Sequence, residues 1–198
     1  MFTGIIQETG RVVSFQPEAG AWKLVIAAGQ VRREAELGDS IAVNGCCLTA
    51  ARLTEGQIQF DVLEETRRRT NFNALAAGSL VNLEGSLRFG GKVGGHFVTG
   101  HIDTTGEITA FRPEGKDHYL RVRVAGEFMR QVVMKGSIAI DGVSLTVAEV
   151  APDGFAVWLI PHTLDVTNLR TRRAGDAVNL EFDLLGKHVD RLLAARGS

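Results

Sequence analysis

The sequence predicts a mostly β protein: two similar small antiparallel barrels in tandem, each of about six short strands, followed by a C-terminal helix. Three observations predict it. An internal repeat spans about half the chain, closely spaced apolar runs are broken by turn residues without βαβ alternation, and an amphipathic segment follows the second copy.

The repeat is direct. Residues 40–49 read SIAVNGCCLT and residues 137–146 read SIAIDGVSLT, an offset of 97. The same offset aligns Thr66, Thr70 and Asn71 with Thr163, Thr167 and Asn168, and Val81, Asn82, Leu83 and Glu84 with Val178, Asn179, Leu180 and Glu181. An offset of 96 aligns TGII at 3–6 with TGHI at 99–102. Solenoid periods run to roughly 50 residues, so this unit is a small domain. A protein with two similar half-sites is expected to handle two similar ligands.

Within the first copy, apolar runs at 10–15 and 22–27 flank the hairpin signal QPEAG at 16–20. Strands are expected at 40–43, 48–53 and 57–63, with Thr54, Glu55 and Gly56 as a turn. A short helix is expected over 70–77, stopped by Gly78, before a strand at 80–83. The second copy repeats the order: strands at 106–111, 118–124, 137–140, 145–150 and 155–160, a short helix near Asn168, and a strand at 177–182. The joint, FGGKVGG at 89–95, has four glycines in seven residues and reads as flexible. Domain bounds of 1–96, 97–183 and 184–198 follow. The last segment carries Leu185, Val189, Leu192 and Ala195 or Arg196 at helical spacing. Its apolar stripe must be buried either on its own barrel or against copies of itself.

The bulk properties exclude several classes. With 22 basic and 23 acidic residues the formal charge is −1, which gives no electrostatic reason for nucleic acid or an anionic membrane as partner. No apolar run reaches the ~20 residues of a membrane span, and the first residues lack a signal-peptide pattern. The adjacent Cys46 and Cys47 are read as free thiols of a reducing compartment, hence cytoplasmic. Two cysteines without a second pair or an HExxH pattern give no metal site.

Because shared residues account for the fold, differences between the copies are informative. Cys47 aligns with Ser144, Asn44 with Asp141, Ile5 with His101, and Ser86 with Asp183. Taken singly, each is as readily a turn former, a small core residue or a hydrogen-bonding group. Together they surround the shared blocks, at turns near barrel mouths where ligand contacts concentrate. CLT and SLT each place two polar groups on one strand face, suited to reading the edge of a flat polar heterocycle. His96, His118, His162 and His188 are read as structural or exposed.

The motifs MFTGII, NGCCLT, GGHFVTGHID, KGSIAIDGVSLTV and IPHTLDVTNL together make the chain resemble the riboflavin synthase family of duplicated lumazine-binding proteins. The resemblance covers nearly the whole chain. It implies two six-stranded Greek-key barrels and a homotrimer built through the C-terminal helix. It also implies a cofactor-free dismutation of two 6,7-dimethyl-8-ribityllumazine molecules into riboflavin and 5-amino-6-ribitylaminouracil. Lumazine synthase is a further partner it raises. By resemblance the first lumazine would lie against Gly4, Ile5, Ile6, Cys47, Leu48, Thr49 and the run Asp61, Val62, Leu63, Glu64, Glu65 and Thr66. The second would lie against Gly100, His101, Ile102, Ser144, Leu145, Thr146 and the run Ile160, Pro161, His162, Thr163, Leu164 and Asp165. Ser40 and Lys135 would contribute, and Phe2 would cover the pocket. Cys47, His101 and Ser144 match the family's catalytic candidates, with Asp183 as a polar supporter and the roles of base and nucleophile left open by the resemblance. The competing reading is a non-catalytic lumazine or flavin carrier of the same family, which would keep one ligand site only.

Overall fold

The computed structural model describes residues 1–18 and 20–196, the side chain of Arg196 excepted. Ala19 of the first expected hairpin turn, and Gly197 and Ser198 of the expected helical segment, lie outside the described residues.

The chain forms two closed antiparallel barrels. In the first, β1 (Glu8–Glu18), β2 (Ala21–Ala27), β3 (Ser40–Val43), β4 (Cys46–Thr54), β5 (Gln57–Val62) and β6 (Leu80–Gly85) run around the wall as β1-β2-β5-β4-β3-β6. The non-sequential neighbours β2–β5 and β3–β6 give the Greek-key connection. In the second, β7 (Thr104–Glu114), β8 (Asp117–Arg123), β9 (Ser137–Ile140), β10 (Val143–Ala151), β11 (Gly154–Leu159) and β12 (Ala177–Phe182) repeat that order. Even the irregularities recur. Register shifts fall between Val12 and Ser14 and between Ala50 and Arg52, and again between Ile108 and Ala110 and between Val147 and Glu149. Such bulges bend a strand so that a small sheet can close.

Alternation drives the packing. Along β4, Cys46, Leu48 and Ala50 point inward and are buried, while Cys47 and Thr49 point outward. Each barrel has its own core, around Leu24, Ile26, Ile58 and Phe60 in one and Leu120, Val122, Val157 and Leu180 in the other. A third, small cluster of Phe2, Ala42, Val98 and Ala139 fills the seam between them.

The structure departs from expectation in three local places. The 70–77 helix is instead α2 (Glu64–Arg69) followed by a 3₁₀ turn, Asn71–Ala74. Thr70 separates the two in an extended conformation; its hydroxyl donates to Thr66 O (2.7 Å) and accepts from Phe72 N (3.3 Å). The second copy repeats this with α3 (Pro161–Val166), Thr167 and a 3₁₀ turn, Asn168–Thr171. The first hairpin strands extend beyond the expected turns, so Pro17 pairs with Trp22 and Pro113 with His118. A further short helix, α1 (Gln30–Glu34), is capped from a distance by Glu8, whose carboxylate accepts from Gly29 N and Val31 N (2.6 Å). Its place in the second copy is taken by a 3₁₀ turn, Gly126–Gln131.

The last element is α4 (Leu184–Arg196). Asp183 Oδ1 accepts from Leu185 N (3.0 Å), and Lys187 and Asp190 pair with Asp103 (2.6 Å) and Arg130 (3.0 Å) of the second barrel. These polar side chains meet the barrel, whereas Leu185, Val189, Leu192 and Leu193 are 69%, 55%, 66% and 63% exposed. Among the described residues no helix is long and apolar enough to cross a membrane.

Candidate active site

Cys47 and Thr49 on β4, and Ser144 and Thr146 on β10, form two equivalent outer faces. Each is completed by a lead-in segment, but not the one expected. Thr3 N, Thr3 Oγ1 and Gly4 N donate to Glu84 of β6 (2.7, 2.8 and 3.0 Å), yet Gly4 O accepts from Ser144 N of the second barrel (2.8 Å). Reciprocally, Thr99 N, Thr99 Oγ1 and Gly100 N donate to Glu181 of β12 (2.6, 2.7 and 2.9 Å), while Gly100 O accepts from Cys47 N (2.8 Å). Ile6 packs on the second core and Ile102 on the first. The segments are therefore crossed: Gly4, Ile5 and Ile6 belong with Ser144, and Gly100, His101 and Ile102 with Cys47. Gly100 shows why the contact is so close. Its φ is +85°, and a Cβ there would stand 2.5 Å from Cys47 Cβ.

On the first face the run from the end of β5 into α2 is occupied structurally at several points. Val62 and Leu48 are core residues, leaving only backbone to the outside. Asp61 pairs with Lys23 (3.3 Å) and Glu65 with Arg69 (2.9 Å). Glu64 accepts from Trp22 Nε1 (2.6 Å), Arg67 and Arg68, and those two guanidinium groups hold its carboxyl at about 2. Leu63 is exposed and Thr66 half-buried. On the second face, Ile160, Pro161, His162 and Asp165 are exposed, Thr163 is half-buried, and Leu145 and Leu164 lean on the core.

Other expected residues are placed as follows. Phe2 does not cover a pocket. It is fully buried in the seam, bridged to Val98, because both barrels offer only alanine there, Ala42 and Ala139. Ser40 opens β3 and lines a cleft of about 580 Å³ with Thr3, Ile5, Glu84 and Lys92. Lys135 is exposed in a left-handed conformation (φ +65°), where the first copy has Gly38. Asp183 is half-buried and caps α4. His101 is exposed beside Gly100. Cys46 and Cys47 are both free thiols; burial pushes Cys46 up to about 12, which leaves it a core residue.

Two assignments change role. Asn44 and Asp141 are not at a ligand-facing mouth; both are 0% exposed. They anchor a polar network across the seam with Asn71, Asn82, Asn168 and Asn179. His96, read as structural or exposed, instead lies half-buried with Nδ1 at 2.7 Å from Ser144 Oγ. It precedes the repeat block and has no aligned counterpart, so comparing the copies could not reveal it.

The lumazine binding domain family matches residues 3–86 and again residues 99–183. The chain belongs to that family. Among curated proteins it is similar to the riboflavin synthase of Mycobacterium bovis, 44% identical over 201 residues and spanning the full length of both chains. It is also similar to that of Actinobacillus pleuropneumoniae, 42% identical over 98% of this chain and 90% of the relative. Among solved structures it resembles LumP complexed with riboflavin, with a TM-score of 0.86 and 26% identity over 92% of this chain and 99% of that one. LumP complexed with 6,7-dimethyl-8-(1'-D-ribityl) lumazine gives 0.83 and 25% over the same shares.

Proposed function

We propose that this lumazine-binding chain is a riboflavin synthase, a transferase. It moves a four-carbon unit between two molecules of 6,7-dimethyl-8-ribityllumazine to form riboflavin and 5-amino-6-ribitylaminouracil. The observation that carries this reading is the pair of outer faces, alike in backbone frame and unlike in chemistry: Cys47 and Thr49 beside His101, against Ser144 and Thr146 beside His96. One face would hold the donor and the other the acceptor, and fixing both turns a two-molecule encounter into one oriented step. The reaction needs a base for an acidic methyl group of one substrate and a nucleophile or activated water at the matching ring carbon of the other; His101, Cys47 and Ser144 are the groups assigned to this work, with Asp183 as their polar support. A carrier would keep one face only. The expected result is riboflavin formation without added cofactor, two lumazines consumed per riboflavin, followed by absorbance. Ligand binding without turnover would establish the carrier instead.

The exposed stripe of α4 supports assembly as a homotrimer, with an active site shared between the first barrel of one subunit and the second barrel of its neighbour. Deleting the chain from Leu184 onward should lower the molar mass by light scattering and abolish most turnover. A truncated monomer of full activity would refute the shared site. Docking to lumazine synthase would use the outside of such an assembly.

A further inference from the structure

His96 takes no part in either barrel ladder. Its backbone N–H donates to Thr3 O (3.1 Å), which fixes it beside the lead-in that carries Gly4 to Ser144. Its Nδ1 lies 2.7 Å from Ser144 Oγ, and its Nε2 is buried with no hydrogen-bond partner. Gly95 closes the chain on the serine: a Cβ there would stand 2.7 Å from Ser144 Oγ. Among the described residues no histidine is hydrogen-bonded to Cys47, which aligns with Ser144.

We propose that His96 is the base partner of Ser144, taking the Oγ proton through Nδ1 as Oγ bonds to an electron-poor ring carbon of the heterocycle on the second barrel. This rests on the synthase reading above. The O–C bond forms as a C=N π bond of the ring opens, and the electron pair settles on the ring nitrogen. The proton waits on the imidazole until elimination breaks the O–C bond and returns it to Oγ, so no oxidant or reductant enters. A hydroxyl is a weak nucleophile at its own pKa and needs an adjacent base.

The surroundings suit the role. For Nδ1 to accept, the ring proton must sit on Nε2. The charged groups acting on the ring are Asp183 and Glu181, both negative, and both favour a proton there. Both side chains are held in place, Asp183 accepting from Leu185 N and Glu181 from Thr99 N and Gly100 N. Burial dominates and holds the imidazole below the usual histidine range, the two carboxylates opposing it. The ring is thus neutral, and able to accept, at neutral pH. Protonation removes that ability, so activity is lost as pH falls through a midpoint below about 6.5.

The test is a double-mutant cycle on the full-length protein, reading riboflavin formation. H96Q should lower kcat by about 100-fold with riboflavin affinity unchanged, and should lose the acid limb of the wild-type profile. S144A should cost at least as much, and H96Q/S144A no more than S144A alone. Additive losses, or wild-type kcat in H96Q, would overturn the pairing, because a histidine that merely ties down the joint does not act through Ser144. If the variants fail to fold, ring ¹⁵N shifts of wild-type His96 decide: a proton on Nε2 at neutral pH is expected, and one on Nδ1 overturns the proposal. A wild-type protein that makes no riboflavin defeats the synthase reading, and the ring tautomer then judges the pair by itself.

Discussion

Asp141→Ala should destabilise the protein by about 3–5 kcal/mol, the range for removing one partner of a buried ion pair. Asp141 is fully buried, and Arg172, whose side chain is 17% exposed, pairs with it at 2.6 Å. Removing the carboxylate strands the guanidinium, leaves Asn179 N without its acceptor, and leaves Asn71 Nδ2 only its longer bond to Ala177 O (3.4 Å). The bond to Asn71 crosses the seam between the barrels, so where the wild type is expected to unfold in urea in one transition, the variant should show two as the barrels unfold separately. The repeat supplies the rescue. The first copy carries Asn44 and Leu75 where the second carries Asp141 and Arg172. Asn44 still accepts from Asn82 N (2.8 Å) and Asn168 Nδ2 (3.0 Å). Asp141→Asn combined with Arg172→Leu should therefore recover most of the loss. An Asp141→Ala protein within 1 kcal/mol of wild type would show that the seam is held by packing alone.

Gly142→Ala should cost about 2–5 kcal/mol. The left-handed conformation at φ +81° contributes roughly 1–2 kcal/mol. Overpacking adds roughly 1–3 kcal/mol, because the new Cβ would stand 2.7 Å from Gly45 N and 2.8 Å from Gly45 Cα, backbone atoms that cannot swing aside. Gly56→Ala is the control. Its φ is +72° but nothing lies within 4 Å, so it should show the backbone cost only. Equal midpoints for the two variants in urea would mean that the barrels separate there at little cost.

The barrels were legible because alternation and turn residues recur at a fixed offset, and two copies of one pattern reinforce each other. Alignment identifies equivalent residues but is silent on which barrel an equivalent segment touches. The crossing of the Gly4 and Gly100 lead-ins was invisible for that reason. Asn44-Gly45 and Asp141-Gly142 read as turns, and each joins two paired strands; that two such turns meet back to back and bury their polar side chains is a property of tertiary packing. Phe2 misled in the same way, since an aromatic residue at the edge of a pattern carries no sign of what covers it. The polar residues of the outer faces were found from spacing alone, because a strand's period of two fixes what points outward.

The crossed lead-ins also bear on descent. Gly4 meets Ser144 as Gly100 meets Cys47, and Gly45 meets Gly142 as Gly142 meets Gly45. Contacts in which i touches j and j touches i are the mark of an isologous interface between identical subunits. This single polypeptide retains the internal symmetry of a homodimer, as a fused gene for a one-barrel ancestor would leave it. In such an ancestor every substitution struck both faces at once. Fusion frees the two copies to diverge, so that one face can carry a thiol while the other carries a serine with an imidazole against it.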